Sequence, residues 1–267
     1  MKINAHIPTQ QYGYIEVTDL PDDPKVIQEV YNKYAEKPIN LTHVEALGST
    51  NDDFVELEAY VGGKIWYSDS RHEYRNDKGE VYLSGSQYAS QFDRPFDARS
   101  IAGKMSDKSG VPAQDILKMW EMKRDISNGY GTALHLAMQL YGEYHKHKEA
   151  FDKNYHIHDL SVFKDATESF YRDRHDEEAV YEALVVDHAR KYAGRIDRLA
   201  KSKTGWFVED FKTNAELDPK KLAVYWKQLS FYASILKAGG APVVGLTIHH
   251  WDGVKWTSIN SEVQEVK

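Results

Sequence analysis

The chain is 267 residues long, 41% hydrophobic and 28% charged, a composition that supports a sizeable core in one elaborated domain, or one domain plus an N-terminal extension. Its formal net charge of −7 argues against a protein that coats nucleic acid non-specifically, though not against an acidic catalytic site flanked by local basic residues. It has no cysteine, which excludes disulfides, zinc fingers, iron–sulfur clusters and thiol catalysis; a metal would have to rest on carboxylates and histidines, donors that suit Mg²⁺ or Mn²⁺.

No stretch reaches the apolar length of a membrane helix, and Met1-Lys2-Ile3-Asn4-Ala5-His6 lacks the apolar run of a signal peptide. The expected location is therefore cytoplasmic, with no membrane partner. Residues 1–85 read as strands with one or two helices. Residues 26–35 have helical spacing (Val26, Val30, Tyr31, Tyr34), 54–67 alternate as a strand, and 74–83 read as a hairpin closed at Asn76-Asp77-Lys78-Gly79. Residues 1–72 form a β-rich extension without a recognisable catalytic pattern; 73–267 form the main domain.

Beyond it the pattern is more regular. A helix is expected over 115–126, a break at Asn128-Gly129, and a second helix over 131–148. A less regular stretch covers 159–172. Three strands follow at 180–187, 192–199 and 206–212, the last two joined by Lys201-Ser202-Lys203-Thr204-Gly205 as a hairpin. A helix over 219–237 stops at Gly239-Gly240; a strand at 243–251 turns at Asp252-Gly253 into a last strand over 255–259. The order is helix, three strands, helix, strand.

Asp197, in Gly194-Arg195-Ile196-Asp197, lies on one strand of the hairpin, and Asp210-Phe211-Lys212-Thr213 ends the other. Alternate strand residues share a face, so Asp210 and Lys212 point the same way, and a short hairpin brings Asp197 close. Converging carboxylates repel unless a cation lies between them. Metal, carboxylates and lysine are the parts needed to hydrolyse a phosphodiester. An Asp-x-Lys alone is uninformative, because such pairs usually belong to surface ion-pair ladders.

The surrounding motifs are more specific. Gly131-Thr132-Ala133-Leu134-His135 resembles the Gly-x-x-x-His element of RecB-like nucleases. Glu182, Asp197 and Asp210-Phe211-Lys212-Thr213 follow in the order of that group, and Gln228-Leu229-Ser230-Phe231-Tyr232 is similar to its Gln-x-x-x-Tyr motif. Leu83-Ser84-Gly85-Ser86, followed by Trp120, resembles the lead-in of phage and mitochondrial exonucleases. Over residues 72–260 the chain thus resembles the PD-(D/E)XK superfamily. The resemblance implies an α/β restriction-endonuclease-like core on a mixed sheet, carrying an N-terminal β-rich extension.

It further implies that Asp197 and Asp210 are metal ligands, joined by the Phe211 carbonyl, and that Lys212 positions the water and stabilises the transition state. His135 would be a further ligand, or would hold the second metal or its water. Glu182 would serve a second metal, with Glu209 competing for that role on spacing. Gln228, Tyr232, Thr213 and Thr132 would face the DNA. The implied activity is that of a Mg²⁺- or Mn²⁺-dependent DNA exonuclease in phage-type recombination or DNA processing, its alternatives an endonuclease of the same fold or a non-cleaving DNA-binding module. DNA is the expected partner; a homo-oligomer or a recombination partner protein stays open. Lacking the cysteines of some RecB-like nucleases and any Gly-x-x-x-x-Gly-Lys-Ser/Thr loop, the chain reads as a stand-alone nuclease. The pairs His145/His147, His156/His158 and His249-His250 lack a third ligand at recognised spacing and are read as ordinary, exposed histidines, with His249→Ala expected to be nearly silent.

Overall fold

A computed structural model describes residues 2–9, 13–21, 54–93, 96–145, 161–174, 177–214 and 216–266. The chain divides into two units, Met1–Asp53 and Phe54–Lys267. In the first, β1 (Lys2–Thr9) and β2 (Gly13–Pro21) pair antiparallel, with Ile7 opposite Ile15. The helix expected over 26–35 lies outside the described residues.

The second unit opens with an antiparallel meander of β3 (Val55–Glu58), β4 (Lys64–Ser68), β5 (Glu73–Arg75) and β6 (Val81–Ser84). These strands continue its sheet, so residue 72 lies inside this unit. The single strand expected over 54–67 is thus two strands. They fold back at Gly62-Gly63, whose φ angles of 103° and 82° suit a residue without a Cβ. The β5–β6 hairpin turns where expected, with Asn76 Oδ1 accepting from the Lys78 and Glu80 amides at 3.0 and 2.9 Å.

Two helices that the hydrophobic pattern does not announce come next. The short α1 (Gly85–Ser90) starts on a capping box of Ser84 and Gln87; α2 (Ala98–Ser109) is capped by Asp97 and ended by the left-handed Gly110. Helix α3 then runs unbroken from Ala113 to Tyr144. The break expected at Asn128-Gly129 is absent because a mid-helix glycine costs only about 1 kcal/mol against alanine, whereas burial anchors the helix on both sides: Ile116 before it, and Leu134, Ala137 and Met138 after it. A 3₁₀ turn at Ser161–Phe163 leads into α4 (Lys164–Tyr171). The remaining elements are β7 (Ala179–Asp187), β8 (Tyr192–Lys201), β9 (Trp206–Lys212), α5 (Pro219–Ala238), β10 (Val243–Trp251) and β11 (Trp256–Ser261), close to the expected bounds.

Strands β3 to β11 form a nine-stranded mixed sheet in the order β11-β10-β9-β8-β6-β5-β4-β3, with β7 paired to β8 off that path. The α/β fold with a mixed sheet is the expected one. One face packs Ile196, Leu199, Val208, Leu246 and Ile248 against Leu229, Ile235 and Leu236 of α5. The other packs Tyr181, Phe211 and Trp251 against Leu134 and Met138 of α3 and Phe170 and Tyr171 of α4. No helix among the described residues is long and apolar enough to cross a membrane.

Two features of β8 create the site. Antiparallel β7 lines one of its edges. On the other, parallel β6 pairs only with Tyr192 and Ala193, and antiparallel β9 only with Arg198–Lys201. Between them the edge at residues 194–197 pairs with neither strand, and the sheet forks. At the same level β7 changes face. Tyr181 packs with α3 and α4, yet Ala183 and Val185 pack with α5. Strict alternation would keep all three on one side. The switch is Glu182, whose φ of 47° is left-handed and costly for a residue with a side chain.

Candidate active site

The fork places the expected residues around one point. The Phe211 amide at the end of β9 donates to Asp197 Oδ2 at 2.9 Å. His135 reaches down from α3, its Nε2 2.9 Å from the Phe211 carbonyl oxygen and its Nδ1 3.4 Å from Asp197 Oδ2. Asp210 is buried on the same side of β9 as Lys212, whose ammonium lies 2.5 Å from Asp210 Oδ2. The contact is a buried, charge-assisted ion pair. Lys212 sits 4.7 Å from the centre of the Tyr225 ring, a cation–π contact from α5.

The electrostatics match this crowding. Burial, reinforced by the charge of Asp197 and opposed by Lys212, pushes the Asp210 carboxyl up to about 6. Burial works against the Lys212 ammonium, but the charges of Asp210 and Asp197 outweigh it and hold its pKa above the ordinary lysine value. Glu182 is raised, by burial first and by Asp197 second, with His135 and Arg195 opposing.

Gln228 and Tyr232 close the cleft from α5, with Gln228 Nε2 donating to Tyr232 Oη at 3.1 Å. The glycines of two motifs make room for this tyrosine. A Cβ on Gly194 would stand 2.4 Å from Tyr232 Cε1, and one on Gly85 2.3 Å from the same atom. Gly131 acts similarly for α3, since a Cβ there would lie 3.1 Å from Thr213 Oγ1. Thr132 is exposed, one turn before His135. Beside the cleft lies a cavity of about 230 Å³ lined by Glu182, Arg195, Tyr67, His72, Ser86 and Tyr232 among others.

Among the described residues no three acidic or histidine side chains converge tightly enough to chelate an ion as they stand. The donors nevertheless fit one. Two carboxylates and a backbone carbonyl suit a hard cation, and the mutual repulsion of buried Asp210 and Asp197 is what a cation between them would offset.

The sequence model of the PD-(D/E)XK nuclease superfamily matches residues 113–256, more than half of the chain and the whole of this constellation except α1 and the meander. The chain belongs to that superfamily. Nucleases of the PD-(D/E)XK superfamily typically use divalent metals such as Mg²⁺. No curated protein matches the chain. A solved structure described as the crystal structure of SSO0001 is similar at 17% identity over 50% of this chain and 67% of that one, with a TM-score of 0.29, too distant to carry an argument.

For this PD-(D/E)XK chain the geometry separates two glutamates that spacing alone does not. Glu182 faces the Asp197 side of the cleft, whereas Glu209 points through the opposite face of β9. There it pairs with the buried Arg198 and, at 3.1 Å, with His249 Nε2. Burial disfavours its charge, but His249 and Arg198 outweigh that and hold its carboxyl below the ordinary range. The reading of His249 and His250 as exposed histidines is incorrect. They are 2% and 7% exposed. His249 Nδ1 lies 2.8 Å from Ser258 Oγ, and His250 Nε2 2.6 Å from the Asn214 carbonyl oxygen. His249→Ala would therefore strip Glu209 of a buried partner instead of passing unnoticed. The described member of the other pairs, His145, stacks on Tyr141 and Tyr171; His147, His156 and His158 lie outside the described residues. Sequence reasoning missed Tyr225, whose signal was that it precedes Gln228 by one helical turn. Arg195, which the sequence groups with the basic residues of the second half, precedes Asp197 by one strand repeat and lines the cavity beside the cleft.

Proposed function

We propose that this nuclease-superfamily protein is a divalent-metal-dependent DNA exonuclease. The observation that carries the reading is the meeting of Asp197, Asp210 and Lys212 at the sheet fork, two carboxylates and an ammonium gathered in one buried place. Asp197, Asp210 and the Phe211 carbonyl would hold the cation. Bound Mg²⁺ or Mn²⁺ would lower the pKa of a water and neutralise charge on the scissile phosphate. Lys212, kept charged by the two aspartates, orients the water for in-line attack and meets the negative charge that develops on the phosphoryl oxygens. His135 holds Asp197 and the Phe211 carbonyl in place and can enter the ligand set. Glu182 stands where a second cation or its water would be met. Gln228, Tyr232, Thr213 and Thr132 line the path of the DNA backbone. The exonuclease assignment is supported by the resemblance of the Gly-x-x-x-His and Gln-x-x-x-Tyr elements to those of exonucleases, and a role in recombination or DNA processing follows from the same likeness.

The test is hydrolysis of end-labelled linear DNA. Release of label is expected with Mg²⁺ or Mn²⁺ and none with EDTA, while Ca²⁺ supports binding with little cutting because its looser coordination aligns water and phosphate poorly. Undiminished hydrolysis in excess chelator would overturn the metal-dependent mechanism.

A further inference from the structure

Next to the cleft, the segment following α1 and the first turns of α5 enclose a separate groove of about 630 Å³. Two phenylalanines stand open in it, Phe92 at 49% and Phe96 at 67% exposure. Neither is loose. Phe92 packs edge-on against Tyr88 at 5.3 Å, and Phe96 against Trp120 of α3 at 5.6 Å, so each ring is braced from behind. Around them stand ammonium groups: Lys220 and Lys221 line the groove, and Lys227 lies 5.5 Å from the centre of the Phe92 ring. The acidic groups of the groove are engaged, Asp93 with Lys221, and Asp218 as the cap of α5 through the Lys220 amide.

Helix α5 links the groove to the active site. Lys221 lies four residues before Tyr225 and seven before Gln228, which places all three on one side of α5, and Tyr225 carries the Lys212 contact. From Lys221 to Gln228 the helix rises about 10 Å, the length of about three stacked nucleotides at roughly 3.4 Å each.

We propose that this groove is a subsite for unpaired DNA: bases of the strand running to the scissile phosphate stack on Phe92 and Phe96, while Lys220 and Lys227 meet its phosphates. This rests on the nuclease reading given above. A local basic rim on a chain of net charge −7 favours a polyanion at this place. Open aromatic rings select exposed base faces, which a duplex does not offer.

The experiment measures binding by fluorescence anisotropy in EDTA, where nothing is cut. The probes are a labelled twelve-residue oligothymidylate and an abasic strand of equal length and charge. Wild type is expected to bind the oligothymidylate about tenfold or more tightly than the abasic strand. Phe92→Ala/Phe96→Ala should bind both at the weaker level, and Phe96→Trp should keep the preference. Phe96→Ala alone, at an exposed position, covers the case in which the double variant fails to fold. In Mg²⁺ the alanine variants should raise KM for linear DNA more than they lower kcat, and Phe96→Trp should keep the wild-type KM. Equal wild-type affinity for the two strands, or wild-type affinity in Phe96→Ala, overturns the subsite and leaves the groove to a protein segment. Cutting by wild type without base-dependent binding removes the subsite alone. Base-dependent binding without cutting in any divalent metal removes the nuclease reading alone.

Discussion

At the scale of single residues, the site is built on groups held against their own preferences. Asp210 is buried as a carboxyl pushed up to about 6, and Glu182 occupies a left-handed conformation. Such costs persist only where the surrounding fold fixes them, and they concentrate at functional positions. Asp210→Asn removes the charge and keeps the volume. The fold should survive, with Lys212 still facing Asp197, while hydrolysis falls by roughly a hundredfold or more. Lys212→Ala should abolish turnover yet leave Mn²⁺ binding measurable by calorimetry, since the lysine acts on water and phosphate and not on the cation. Wild-type turnover in either variant would refute the assignment of these roles.

At the scale of elements, α5 and β8 are matched to each other through Tyr232. Its ring fits because Gly194 on β8 and Gly85 at the start of α1 present no side chain. Gly194→Ala sets a methyl group 2.4 Å from Tyr232 Cε1, so the helix or the strand must yield; the expected loss of stability is about 1–3 kcal/mol. The clash is with a ring carbon, which makes the prediction specific. In a Tyr232→Ala background the Gly194→Ala loss should mostly disappear, whereas in a Tyr232→Phe background it should remain. Urea denaturation of wild type, Gly194→Ala, Tyr232→Ala and their double variant measures the coupling, and additive losses in the Gly194→Ala/Tyr232→Ala pair would disprove the contact. On the opposite face, the buried Arg198–Glu209 pair fixes the register of β8 against β9, since the two residues are direct partners in the ladder. Register there decides whether Asp197 and Asp210 meet at all.

At the scale of the whole molecule, the charge balance and the placement of the site bear on the choice of substrate. A chain of net charge −7 repels duplex over most of its surface, and one strand can still enter where lysines gather beside the fork. Linear DNA should therefore be degraded to short products while a covalently closed circle resists. The comparison is linear, nicked and closed forms of one plasmid in Mg²⁺ on a single gel. Rapid linearisation of the closed form would favour an endonuclease with the same metal site. Because the backbone contacts are ionic, binding should weaken steeply with salt, by about one counterion per neutralised phosphate.

What local pattern controls was legible in the sequence. The alternation of β9 and β10, the cap and glycine stop of α5, and the order of Gly131, His135, Asp197, Asp210, Lys212, Gln228 and Tyr232 are set by residues a few positions apart. Tertiary structure decided the rest. Whether α3 breaks at Gly129 depended on burial at Ile116 and Leu134, which outweighs a local glycine cost. Whether residues 54–67 form one strand or two depended on a return at Gly62-Gly63 that strand alternation does not record. The burial of His249 depended on a glutamate on β9 and a serine on β11. The fork itself joins Leu83 to Tyr192, residues so far apart in the chain that no local periodicity carries their pairing. It is this long-range pairing, through hydrogen bonds formed only when the sheet assembles, that opens the edge of β8 where the carboxylates converge.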